Sequence, residues 1–179
     1  MGHVIENIPR QTGTGCEVIS AAQVKTTGAG APTLIVFPLT IAQQFTVDND
    51  YIIIKYRKPV DWVPGSDIRF CLNWTKSQDT DQSGNKVKWQ VEYYFTDIGY
   101  DIAYATPDGT LSAEDTYDDA GTTTHIAYQA DNSLTILNAS VQEDKNFLYI
   151  KVSSITPSAL TLAEPVLLTV SMRYTAYLY

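Results

Sequence analysis

The feature that most constrains this chain is a two-residue alternation of apolar and polar side chains, repeated in segment after segment from residue 33 onward. In Asp67–Thr75 the residues Ile68, Phe70, Leu72 and Trp74 share one side; in Lys86–Thr96 the same side carries Val87, Trp89, Val91, Tyr93 and Phe95. Side chains of a strand point alternately to opposite faces, so each segment predicts a strand that buries one face and wets the other. Further strands are predicted over Thr33–Phe37, Phe45–Val47, Tyr51–Arg57, Thr122–Gln129, Ser133–Ala139, Phe147–Ile155 and Val166–Tyr179. In the last of these, Val166, Leu168, Val170 and Met172 are expected on one face. The polar, glycine-containing stretch Asp79–Asn85 suits a hairpin loop, and residues 97–121 read as irregular.

No segment has the 3.6-residue periodicity of a long amphipathic helix. About eight substantial strands with both short and long connections predict an all-β fold, an eight-stranded jelly-roll β-sandwich spanning 33–179. The Cys…Trp…Cys arrangement of an immunoglobulin sandwich is missing. A chain of 179 residues suffices for one such core and would be cramped as two.

Residues 1–32 differ in character. They hold Thr-Gly-Thr-Gly at 12–15 and Gly-Ala-Gly-Ala-Pro at 28–32, with scattered apolar residues Val4, Ile5, Ile8, Val18 and Ile19. Such composition predicts an extended N-terminal arm. Ordering backbone costs about 1–2 kcal/mol per residue, so an arm follows one path only where a surface receives it. The five apolar residues are the expected interface with a neighbouring subunit.

Charge is unevenly spread. From Trp89 to Asp144 there are eleven carboxylates and no Lys or Arg, whereas the remainder sets twelve Lys and Arg against nine carboxylates. Nucleic-acid binding needs clustered cations, so neither nucleic acid nor an anionic membrane is an expected partner. No apolar run is long enough to span a bilayer, and residues 1–10 lack the pattern of a secretion signal, so synthesis in a cytoplasm is expected. Cys16 and Cys71 lie far apart in sequence, and idle thiols are expected.

Chemistry finds little support. The two histidines, His3 and His125, have no second ligand nearby in sequence, and no metal or other cofactor is expected. Asp79–Gly84 imitates the start of a calcium loop, but its twelfth position is Gln90, which cannot supply a bidentate carboxylate. Glu114, Asp115, Asp118 and Asp119 form an acidic run that reads as a solvated loop. No nucleophile elbow, phosphate loop or dinucleotide fingerprint occurs, and no enzyme activity is expected.

The succession Ile68–Trp74, Val87–Tyr93, Ile98–Ile102, His125–Tyr128 and the closing Met172–Tyr179 resembles jelly-roll structural proteins of tailed bacteriophages over residues 67–179. Where such sequences often carry histidine near the first Trp and in the final strand, this chain has Leu72, Asn73 and Ala176. The resemblance implies a virion protein. Taken with the arm, it implies a capsid decoration (cement) protein that binds the major capsid protein and copies of itself, commonly as a trimer. The alternative it leaves is a glycan- or receptor-binding module of a tail, neck or head fibre, for which Tyr100, Tyr104, Tyr117 and Tyr128 are candidate stacking residues.

Overall fold

A computed structural model describes residues 12–20, 30–37, 40–97, 106–121, 127–131, 133–162 and 164–178. Eleven strands are present among them: β1 Thr12–Ser20, β2 Thr33–Phe37, β3 Thr40–Gln44, β4 Tyr51–Arg57, β5 Ile68–Lys76, β6 Lys86–Thr96, β7 Gly109–Thr116, β8 Tyr128–Ala130, β9 Thr135–Ile136, β10 Phe147–Ile155 and β11 Pro165–Tyr177. They form two sheets. The larger runs β2-β3-β11-β5-β8, with β1 added to β11 and β9 to β5; the smaller runs β4-β10-β6-β7.

The antiparallel pairings are nested. β3 pairs with β11, β4 with β10, β5 with β8 and β9, and β6 with β7. This is one long hairpin rolled so that successive pairs fall in opposite sheets, which is the topology of a jelly roll. The expected fold class is therefore the observed one.

The inward faces close on each other. Ile68, Phe70, Leu72 and Trp74 of β5 meet Val87, Trp89, Val91 and Tyr93 of β6, joined by Ile52, Ile54 and Tyr56 of β4 and by Leu148, Ile150 and Val152 of β10. Trp89 meets Phe45 edge-on at 5.3 Å, and Trp74 stacks on Tyr128 at 5.1 Å. The Trp74 indole also donates to Asp115 Oδ2 on β7 at 3.1 Å, which ties the larger sheet to the smaller.

Several elements depart from the sequence expectation. Phe45 is not part of a strand; it follows β3 and serves as a core side chain. The stretch expected to be irregular contains β7, whose inward positions are Leu111, Ala113 and Asp115. In β11 the register shifts between Leu167 and Thr169, so Leu167, not Leu168, joins Val170 and Met172 in the core. A bulge adds one residue and moves everything before it to the other face.

Residues 12–20 of the expected arm lie on the chain's own sheet. β1 runs antiparallel along β11 from Thr12↔Tyr177 to Ser20↔Thr169, beyond the two residues where β3 pairs. Its glycines have a packing role: a Cβ on Gly15 would stand 2.4 Å from the Tyr174 ring. Glycine here admits the aromatic ring across the strand pair. A terminal boundary at residue 32 therefore divides a strand from the sheet it completes.

The bulge makes neighbouring leucines unequal. Leu167→Ala should destabilise the domain by about 3 kcal/mol, the usual cost of truncating a fully buried leucine. Leu168→Ala should cost about 1 kcal/mol or less. Urea denaturation followed by tryptophan fluorescence measures both, and equal losses would place the bulge elsewhere.

Candidate functional site

Three surfaces stand out among the described residues as able to receive something. The first is the edge of the larger sheet. β2 pairs with β3 from Thr33↔Gln44 to Phe37↔Thr40, and among the described residues no strand covers its other side. Cross-strand partners project to one face, which here carries Leu34, Val36 and Ile41. Val36 is 78% exposed and Leu34 55%. A β-branched, apolar edge strand is the kind that natural proteins cover or blunt with charge.

The second surface is the outer face of the smaller sheet. Register places Tyr51, Ser153, Gln90 and Ser112 in one row, and Ile53, Lys151, Glu92 and Thr110 in the next. A groove of about 200 Å³ lies over Gln90, Ser153 and the Lys151–Glu92 ion pair (2.7 Å), walled by Tyr51 and the Asp48–Asp50 turn. Lys151 Nζ stands 5.0 Å from the centre of the Tyr51 ring. Tyr149 and Tyr94 pair across strands one row further on.

The third is a narrow apolar crevice of only about 30 Å³ at one end of the sandwich, among Tyr56, Trp62, Phe95, Leu148, Met172 and Tyr174.

The residues singled out from sequence are dispersed. Val4, Ile5, Ile8, Tyr100 and Tyr104 lie outside the described residues, as do His3 and His125. Val18 is 62% exposed on β1, while Ile19 packs against the core. Tyr117 is fully buried and touches Trp74 and Tyr128. Tyr128 spends one ring face on Trp74, and its hydroxyl accepts from the Asp118 amide. These two tyrosines build core rather than a platform for a ligand. The tyrosines that do face outward, Tyr51, Tyr94 and Tyr149, were legible from the same alternation: they are the out-of-phase residues of well-marked strands.

The acidic segment is likewise built into the fold. Glu114 pairs with Lys86 at 2.9 Å and accepts from the Ser158 amide at 2.7 Å; Asp97 holds Lys145 and Asn146; Asp131 holds Arg69 at 2.8 Å. The Lys86 and Ser158 donors hold the Glu114 carboxyl down to about 2. The loop that imitates a calcium site is organised around a side chain: Lys76, fully buried, donates to the Thr80 carbonyl at 2.9 Å and to the Gly121 carbonyl, with its ammonium 5.2 Å from the Tyr117 ring centre. No group of three or more His, Cys, Asp or Glu converges among the described residues, and both described cysteines are free thiols.

No protein-family model matches the sequence, and no curated protein matches it. Solved structures do. The xylan-binding module CBM15 is 9% identical with a TM-score of 0.47, over 90% of this chain and 97% of that one. The CBM36-1 domain of a multidomain xylanase from the hindgut metagenome of Trinervitermes trinervoides is 11% identical with a TM-score of 0.43, over 89% and 96%. The VP2 subviral particle of infectious bursal disease virus is 10% identical with a TM-score of 0.42, over 92% of this chain and 33% of that one. They assign this chain neither a ligand nor an assembly.

A carboxylate whose folded pKa lies below its unfolded value of about 4.3 stabilises above that value and loses its contribution as pH falls toward the folded value. Stability should therefore decline between pH about 4.5 and about 2 in part through Glu114. Glu114→Gln should shrink the difference in melting temperature between pH 5 and pH 2.5. An unchanged difference would show that the Lys86–Glu114–Ser158 cluster contributes nothing.

Proposed function

We propose that this chain is a non-enzymatic structural subunit of a viral particle, acting as a decoration (cement) protein on the head of a tailed bacteriophage. It engages the major capsid protein and copies of itself as a trimer. The observation that carries this reading is the open apolar edge at β2, where Leu34, Val36 and Ile41 face outward together. The sequence resemblance over 67–179 supports it independently. The mechanism is physical. A standard interface buries roughly 800 Å² per partner, and several such contacts on one lattice reinforce each other through effective concentration. A sandwich pinned by nested pairings transmits load between those contacts without rearranging.

The test is assembly. Purified protein should elute at the mass of an oligomer by light scattering and bind saturably to empty expanded capsids. Leu34→Lys with Val36→Lys should yield a folded monomer and weaken capsid binding about tenfold or more through lost avidity. A monomeric wild-type protein that ignores viral shells would end this reading.

A second reading, a glycan-binding module of a fibre, is favoured by the groove over Gln90 and Ser153, whose aromatic wall and polar floor suit the apolar face and hydroxyls of a sugar. Tyr51→Ala should then abolish binding on a glycan array while leaving the oligomer intact. Glycan binding indifferent to Tyr51 would place the site elsewhere.

A further inference from the structure

The outer face of the larger sheet carries a pairing that sheets ordinarily avoid. Register sets Arg173 of β11 directly opposite Arg69 of β5, with Cys16 of β1 on the other side of Arg173. Both arginines alternate with core residues, Ile68 and Phe70 on one strand and Met172 on the other, so both side chains leave on the solvent side. Like charges facing each other across an antiparallel pair cost stability unless a counter-charge answers them. Asp131, just after β8, answers Arg69 at 2.8 Å through one guanidinium nitrogen. Arg173 has no ion pair among the described residues.

Beside the two arginines is an open hollow of about 290 Å³, lined by Thr14, Asp67, Arg69, Arg173, Tyr174 and Thr175. Its size is close to the lower bound for small-molecule sites, about 300 Å³. Thr14 and Thr175 are cross-strand partners, and their hydroxyls have no hydrogen-bond partner among the described residues. Tyr174 directs its hydroxyl elsewhere, donating to Asp61 Oδ1 at 3.4 Å. Asp67 Oδ1 accepts the Asn138 amide at 2.7 Å, and Asp67 pairs with neither arginine, which leaves Oδ2 to accept from a ligand.

The hollow therefore offers a guanidinium fork, two hydroxyls and one carboxylate acceptor. A fork meets a carboxylate in plane, through two parallel N–H···O bonds. The acceptor selects a hydroxyl on the same molecule. A neutral polyol forgoes the charged contact, and a phosphate ester brings a second negative charge beside Asp67.

We propose that this hollow binds a hydroxylated monocarboxylate, the class to which hexuronic acids belong. Arg173 pairs with the carboxylate, and Arg69 adds the donors that Asp131 does not use. The Thr14 and Thr175 hydroxyls bond ring hydroxyls, and Asp67 accepts from one of them. The site goes beyond the roles proposed above. It lies on the sheet opposite the groove at Tyr51 and apart from the edge at β2, so it depends on neither.

The test titrates the full chain with methyl glucuronide, methyl glucoside and glucose 6-phosphate, followed by NMR shifts and calorimetry. The glucuronide should bind saturably and about tenfold or more tightly than the glucoside, the worth of a hydrogen bond to a charged group. Glucose 6-phosphate should bind no more tightly than the glucuronide. Raising salt from about 0.05 to about 0.5 M should weaken the glucuronide several-fold, because the site is open to solvent. Arg173→Gln removes one of two opposed charges, so it should fold, and it should lower the glucuronide to the affinity of the glucoside. Tyr51→Ala should leave glucuronide binding unchanged. The proposal is overturned by any of three wild-type results: no saturable glucuronide binding, equal affinity for glucuronide and glucoside, or tighter binding of the phosphate. A glucuronide preference that survives Arg173→Gln, or vanishes with Tyr51→Ala, also overturns it. These readings apply to monomer and oligomer alike, so they stand or fall separately from assembly.

Discussion

The larger sheet depends on β11. This thirteen-residue strand has β5 along one side for nearly its whole length, while β3 and then β1 share the other. Without the bulge after Leu167, either the first or the second half of its apolar residues would face away from the core. With it, Leu167 closes the end of the sandwich near Phe45 and Trp74, and Val170 and Met172 continue the seal toward the crevice. The single register shift therefore reconciles one long strand with two different neighbours on its free side.

How legible this was in the sequence follows from how much each strand relies on alternation. β6 and β10 have the predicted bounds, and β4 as well, because their inward residues are nearly all large and apolar, even though Ile53, Phe147 and Ile155 fall on the outward side. β7 escaped notice because its inward set is Leu, Ala and Asp, the last satisfied by the Trp74 indole and not by burial among hydrocarbons. β1 escaped for a related reason. Two of its inward positions are glycines, which signal flexibility in isolation and contribute here by making room for Tyr174 and Leu178. The phase of β11 could not be read from alternation at all, since a bulge leaves no mark in an apolar run.

The candidate surfaces show the same limit from the other direction. Tyr117 and Tyr128 were chosen for chemistry, and packing claimed them for the core; Tyr51, Tyr94 and Tyr149 were passed over, and the pleat turned them outward. Pairings between distant residues, such as Lys86 with Glu114 or Gln44 with Glu164, exist only once the hairpin is rolled. Net charge told little about the acidic segment, because several of its carboxylates serve as acceptors for neighbouring segments of the chain.

Lys76 changes what kind of loop lies between β5 and β6. Carbonyls that another protein would gather around a dissolved ion are gathered here around a charge that is covalently attached to the backbone. Such a cation is carried by the chain itself and is not removed by chelation. The shape of that loop thereby draws on no metal ion from whatever medium surrounds it.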